Sequence, residues 1–273
     1  MSDITLSASS RNALLSLSNS TDMMARTQSR LTSGQKLASA VDNAVSYFQA
    51  KSLNDRAADF TDRKDRIDQG ISVIGAALNG ASTIEGTLKQ MKGIVISAAT
   101  ADSATRDTLK SQYNDLLKQI DKTAEDSSYN GLSLLTGGGA KLTVQFSDVE
   151  SAKLTVESKQ LNTSEGGLNL QQITGFGSTA EDLSAMGTKL DTAIATVRSS
   201  AAELGGASAT LQTRLDFTKS YVSTLQEGGG KMTLADLNEE GANLVALQTR
   251  QQIGIQSLSL AGQQQQAILS LLR

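Results

Sequence analysis

The side chains that most often carry catalysis are scarce in this sequence, and those present do not converge. There is no His and no Cys, which removes imidazole bases, thiolate nucleophiles and the usual zinc ligand sets. The adjacent carboxylates Glu239 and Glu240 would suit acid–base chemistry. Just after Thr233 and Asp236, either of which can cap a helix, they read more simply as a first turn whose negative charge complements the helix dipole. Gly228-Gly-Gly-Lys231 suggests a phosphate loop, but no Gly stands five residues before Gly230, and Met232 occupies the place of the required Ser or Thr. No catalytic residue, cofactor or metal site is expected, and the chain reads as a protein that is not an enzyme.

Composition narrows the binding functions as well. A formal net charge of -3 with 19% charged residues, and no block of Lys or Arg, argues against electrostatic capture of nucleic acid or of a membrane surface. The absence of Cys leaves the redox compartment open. Met1-Ser2-Asp3-Ile4 lacks the basic start and apolar core of a cleaved secretory signal, and no stretch is long and apolar enough to cross a bilayer.

The elements that would position any functional residue are helices. With no Pro and only 3% aromatics among its 273 residues, the chain has little to interrupt a helix and few rings to fill a globular centre. Leu14, Leu17, Thr21, Met24, Gln28 and Leu31 recur at steps of three and four, and Thr32-Ser33-Gly34 then marks a joint. A second stripe runs through Ile67, Ile71, Ile74, Leu78, Ala81, Leu88 and Val95, broken by Thr100-Ala-Asp-Ser103. Leu109, Tyr113, Leu116 and Ile120 predict a shorter returning helix that ends at the turn Tyr129-Asn130-Gly131. Leu142–Phe146 and Lys153–Ser158 alternate as a small β-hairpin. Ser178-Thr179-Ala-Glu181 resembles a capping box ahead of a long stripe from Leu183 to Leu225. The glycines 228–230 read as punctuation before a last helix carrying Leu237, Leu244, Leu247, Ile255, Leu258, Leu269 and Leu272.

This order is nearly palindromic, and the simplest packing brings the two ends together. The expected fold is mainly α, an elongated helical bundle or coiled coil of paired N- and C-terminal helices with a small β-hairpin insert. Three regions are expected: 1–40 with 233–273, 41–136 with 178–232, and 137–177. Past Glu240 only Arg250 and Arg273 are charged, so the ends have thin apolar faces and little to solvate them. Their burial should come largely from adjacent copies. The residues expected at that polymerisation interface are Leu14, Leu17, Met24, Leu31, Leu244, Leu247, Ile255, Leu258, Leu269 and Leu272.

Both ends resemble bacterial flagellin, in a short form lacking the large variable outer domains. Arg30-Leu-Thr-Ser-Gly34, Leu37-Ala-Ser-Ala40 and Asp42-Asn-Ala44 resemble the family's N-terminal signature. Asp236-Leu-Asn-Glu-Glu240, Ala242-Asn-Leu244, Leu247-Gln248, Gln251-Gln252, Gln264-Gln265 and Leu269-Ser-Leu-Leu272 resemble its C-terminus. The resemblance implies a structural subunit that self-assembles into the flagellar filament for swimming motility, with 1–40 and 233–273 as the inner tube and the long helices as the outer tube. It implies a homo-polymer, partnered with related flagellins, hook-filament junction proteins, the filament cap, an export chaperone and the flagellar secretion apparatus. The implied location is the extracellular filament, reached without a cleaved signal peptide. A hook-filament junction protein is the alternative, since it resembles flagellin at both termini. Leu88-Lys-Gln-Met-Lys-Gly-Ile94 is similar to the segment many flagellins present to a mammalian innate-immune receptor, but Gln90 and Gly93 replace the usual Arg and Glu.

Overall fold

The computed structural model describes residues 8–177 and 179–271. Its elements are α1 (Ala8–Ser33), α2 (Ala44–Thr100), α3 (Ser103–Asp126), β1 (Ser128–Tyr129), β2 (Leu132–Ser133), β3 (Lys141–Gln145), β4 (Lys153–Glu157), α4 (Ala180–Thr233) and α5 (Leu237–Leu271). They fall into two compact units, Met1–Arg56 with Thr224–Arg273, and Ala57–Ser223. The helical fold with a small antiparallel hairpin is the one expected.

The unit Ala57–Ser223 is a helical bundle. On α2, Ile74, Ala77, Ala81, Ile84, Leu88, Met91, Val95 and Ala98 are all buried, at alternating steps of three and four that keep one face on the core over six turns. Leu190, Val197, Leu204 and Leu211 of α4 and Tyr113, Leu117, Ile120 and Ala124 of α3 close that core. Ile71, Leu78 and Leu116, expected at its centre, pack at its margin.

Two glycines in α2 set how closely its neighbours approach. A Cβ at Gly80 would stand 2.0 Å from Ser127 Oγ and 2.7 Å from Leu135 Cδ1, and one at Gly70 would stand 2.7 Å from Val144 Cγ2. The chain leaving α3 and strand β3 therefore lie almost against the helix backbone. Between β1 and β2, Asn130 (φ 49°) and Gly131 (φ 79°) form the tight turn that Tyr129-Asn-Gly predicted, with both central residues left-handed as a two-residue hairpin requires.

Strands β3 and β4 pair antiparallel from Lys141 with Glu157 to Gln145 with Lys153. Leu142 and Val144 turn inward, while Lys141 and Glu157 form an ion pair on the outer side. The chain after the hairpin is bound to α3 by polar contacts. Asp121 accepts from the amide and hydroxyl of Thr163, and Asn114 bonds both the amide and the carbonyl of Ile173. These contacts seat Leu161, Leu168, Leu170 and Phe176 in the core.

Short polar residues cap the starts of α3 and α4. Asp102 accepts from the Thr105 amide at 2.8 Å to start α3. At α4 the reciprocal partner of Thr179 is Asp182, whose amide donates to Thr179 Oγ1 and whose carboxylate accepts from it, so the box sits one residue later than Ser178-Thr-Ala-Glu181 suggested. Ser178 lies outside the described residues.

Gly80→Ala is expected to destabilise this unit by about 1–3 kcal/mol through overpacking. Gly86→Ala, at an exposed helical site with no atom within 4 Å of the added methyl, is expected to stabilise it by about 0.5–1 kcal/mol. Urea denaturation of both variants tests the contrast. The Thr105 side chain and then its amide hold the Asp102 carboxyl below its ordinary pKa. The cap's stabilisation is therefore complete above the unfolded value of about 3.9 and lost as pH falls through the lower folded value. The Tm difference between wild type and Asp102→Ala should accordingly shrink as pH falls below about 4.

Candidate self-assembly site

In the unit formed by the two termini, helix α1 turns Ala13, Leu17, Ser20, Met24, Thr27 and Leu31 toward α5, and α5 answers with Glu240, Leu244, Leu247, Gln251, Gly254, Leu258 and Ala261. Each set repeats at steps of four and three, an antiparallel coiled-coil seam. Alternate positions are small or polar. Ser20 and Thr27 are buried, with Ser20 Oγ donating to the Ser16 carbonyl, and a Cβ at Gly254 would meet Leu17 Cδ1 at 3.4 Å. The small residues let the two backbones close in. Thr21 and Gln28, expected in the seam, are exposed, because packing selects Ser20 and Thr27 on the other side of the same Leu17, Met24 and Leu31.

One ion pair fixes the register of this seam. Arg30 Nη1 donates to Glu240 Oε1 at 3.0 Å, with the Glu240 side chain only 9% exposed. Asp236 caps α5 by accepting from the amides of Asn238 and Glu239. The adjacent acids thus divide: Glu239 is exposed in the first turn, and Glu240 is an internal counter-ion.

The links to the long helices are equally specific. α1 stops at Gly34, whose φ of +69° only glycine adopts freely. Its carbonyl accepts from the Ala235 amide, and the Thr233 carbonyl accepts from the amides of Lys36 and Leu37. Asp42 Oδ2 accepts from the amides of Ala38 and Ser39, and Asn43 caps α2 through the Ser46 amide. The glycines at 228–230 do not break the chain. α4 runs through them to Thr233, and they leave space for α2: a Cβ at Gly228 would meet Leu53 at 3.4 Å and one at Gly229 would meet Asn54 Oδ1 at 2.7 Å. That helical geometry also removes any phosphate loop.

Of the residues expected at a polymerisation interface, Leu17, Met24, Leu31, Leu244, Leu247 and Leu258 lie in the seam between α1 and α5. Leu14 is 40% and Ile255 53% exposed, both on one flank of the seam. Leu272 and the side chain of Leu269 lie outside the described residues. The outward faces carry Leu15, Val245, Ile253 and Leu260, each more than half exposed.

Two family models match the chain, the bacterial flagellin N-terminal helical region over residues 4–140 and the bacterial flagellin C-terminal helical region over residues 188–272. The chain belongs to the flagellin family. Flagellin FljK of Caulobacter vibrioides is 34% identical over 275 residues, covering 100% of this chain and 99% of its own. A flagellin of Brucella melitensis is 28% identical over 282 residues, covering all of both chains. A crystal structure of Bacillus cereus flagellin aligns with a TM-score of 0.49 at 23% identity, over 56% of this chain and 88% of that one.

As a flagellin, the chain is a structural subunit of the flagellar filament. The two stretches that resembled the family meet in space: Arg30 opens the first, and Glu240 closes the Asp236–Glu240 stretch. Nothing in the sequence pairs the two, because their separation of 210 residues leaves no periodic signal. Among the described residues no group of His, Cys, Asp or Glu is arranged to hold a metal ion, and no helix is long and apolar enough to cross a membrane.

Arg30→Ala leaves a nearly buried carboxylate without its counter-ion and should weaken the α1/α5 pair by about 1–3 kcal/mol. Adding Glu240→Gln should recover part of that loss. Hydrogen exchange of α1 and α5 amides reads both effects without interference from the other unit.

Proposed function

We propose that this flagellin polymerises through the outward apolar faces of the α1/α5 pair. Residues 1–40 with 233–273 then form the inner tube of the filament, 41–136 with 178–232 its outer tube, and 137–177 a small hairpin region of the outer tube. The observation that carries this reading is the exposure of Leu15, Val245, Ile253 and Leu260 on a helix pair that already uses its inner leucines on itself. At about 25 cal/mol per Å² of apolar area, covering these faces with copies of the same pair is a strong drive to assemble.

The resemblance extends the reading to partners: other flagellins, hook-filament junction proteins, the filament cap, an export chaperone and the flagellar secretion apparatus. Export without a cleaved signal to the extracellular filament belongs to the same reading. So do the absence of enzymatic activity and of nucleic-acid or membrane partners. Gln90 and Gly93 are exposed on α2 while Leu88 and Met91 are buried in the core. A receptor that reads a charged Arg and Glu therefore meets neutral residues at those two positions, and a charge-assisted contact is missing.

Seeded growth tests the proposal. Purified protein should extend filament fragments into long filaments under the electron microscope. Deletion of 1–32 or 240–273 should abolish extension while leaving the cooperative unfolding of residues 57–223 in place. A truncated chain that still extended seeds would remove the termini from the interface. Purified monomer is expected to stimulate innate-receptor reporter cells poorly, and restoring Arg at 90 and Glu at 93 should raise the response.

A further inference from the structure

The flank of the α1/α5 pair opposite Leu14 and Ile255 has a different chemistry. A groove of about 390 Å³ runs there, lined by Met23, Arg26, Arg30, Glu240, Asn243 and Arg250 among others. Arg30 is satisfied by Glu240. Arg26 and Arg250 are exposed, and among the described residues no ion pair reaches either. Two uncompensated guanidinium groups thus share a groove with the half-exposed thioether of Met23. A polymer that stacks this surface repeatedly accumulates their charge unless each neighbour supplies an acid.

The chain holds few candidates for that acid in the same unit. Asp42 closes its own loop, Asp55 pairs with Lys51, Glu227 pairs with Lys231, Asp236 caps α5 and Glu240 holds Arg30. Among the described residues of the unit this leaves Asp22 and Glu239, both exposed. The Arg30–Glu240 bond and the approach of Leu17 to Gly254 fix the helix register. In that register Asp22 lies between the levels of Arg26 and Arg250, whereas Glu239 lies at the end of the pair beyond Arg30. Among the described residues no ion pair reaches Asp22, Arg26 one turn away included, so its carboxylate can meet another chain.

We infer that the Arg26/Arg250 groove receives the Asp22 carboxylate of an adjacent copy. The contact rests on the reading that α1/α5 pairs pack on one another. Asp22 stands one turn from Arg26 on α1, so every copy carries the acid beside the groove, and a lattice that repeats one neighbour relation repeats the contact at each subunit. The apolar faces supply the drive to associate, and this charge-assisted contact sets which register is accepted.

Seeded extension with charge-reversed monomers tests it. Arg26→Asp/Arg250→Asp and, separately, Asp22→Lys should each extend wild-type seeds about tenfold or more slowly. An equimolar mixture of the two should recover extension, because each introduced charge then meets its opposite on a different chain. Arg26→Gln/Arg250→Gln, which keeps side-chain length, should slow growth less and reduce its salt dependence. Reversed variants that extend like wild type, or a mixture no faster than its components, overturn the pairing while leaving the packing of α1/α5 pairs in place. Failure of wild type itself to extend seeds would bring down both readings.

Discussion

The mutual burial of α1 and α5 is the contact on which the rest of the terminal unit depends. These helices come from opposite ends of the chain, and neither has a wide enough apolar face to be stable alone in water. Their seam is narrow, with Leu17, Met24 and Leu31 interleaved with Ala13, Ser20 and Thr27 against the leucines, Gly254 and Ala261 of α5. Small residues make it close-fitting, and Arg30 on Glu240 makes it single-register. A seam that narrow consumes only part of the apolar surface of the two helices. Leu14, Leu15, Val245, Ile253, Ile255 and Leu260 remain outside it.

The unit from Ala57 to Ser223 solves the opposite problem. Its α2 seam is continuous and fully buried, and α3, α4 and the segment after the hairpin complete the core within one chain. Here the contacts are long-range and self-sufficient: Asp121 on Thr163, Asn114 on Ile173, and Gly70 and Gly80 set against β3 and the end of α3. One chain thus carries a part whose apolar stripe is covered on folding and a part that leaves apolar surface exposed. For a structural subunit of the flagellar filament, this division fits the proposed assembly, because the unit from Ala57 to Ser223 does not draw on the apolar surface left exposed on α1 and α5.

The helices, their breaks and the hairpin were legible because each is a local signal. Alternating steps of three and four mark a buried face, Asn130-Gly131 marks a two-residue turn, and Gly34 and Asp102 stop and start helices through their own backbone preferences. The flagellin resemblance at both ends was readable for the same reason, as runs of neighbouring residues. The errors came where a local signal had two meanings. The glycines 228–230 looked like a break and are a helical contact face, since glycine both costs helix stability and permits close approach. In α1 the seam takes Ser20 and Thr27 in place of Thr21 and Gln28, since Leu17, Met24 and Leu31 are compatible with either adjoining column.

By itself the sequence determined that this protein is a mainly helical chain with amphipathic ends, without catalytic histidine or cysteine, of a kind that associates with its own copies. Only the tertiary structure decided that Glu240 neutralises Arg30, that Leu17, Leu31, Leu244, Leu247 and Leu258 are spent inside the pair, and that the two flanks of that pair differ, one apolar and one basic. Those facts depend on which residues face each other across a gap of some two hundred positions. Periodicity along one helix reports that a face is buried but carries no information about what it is buried against.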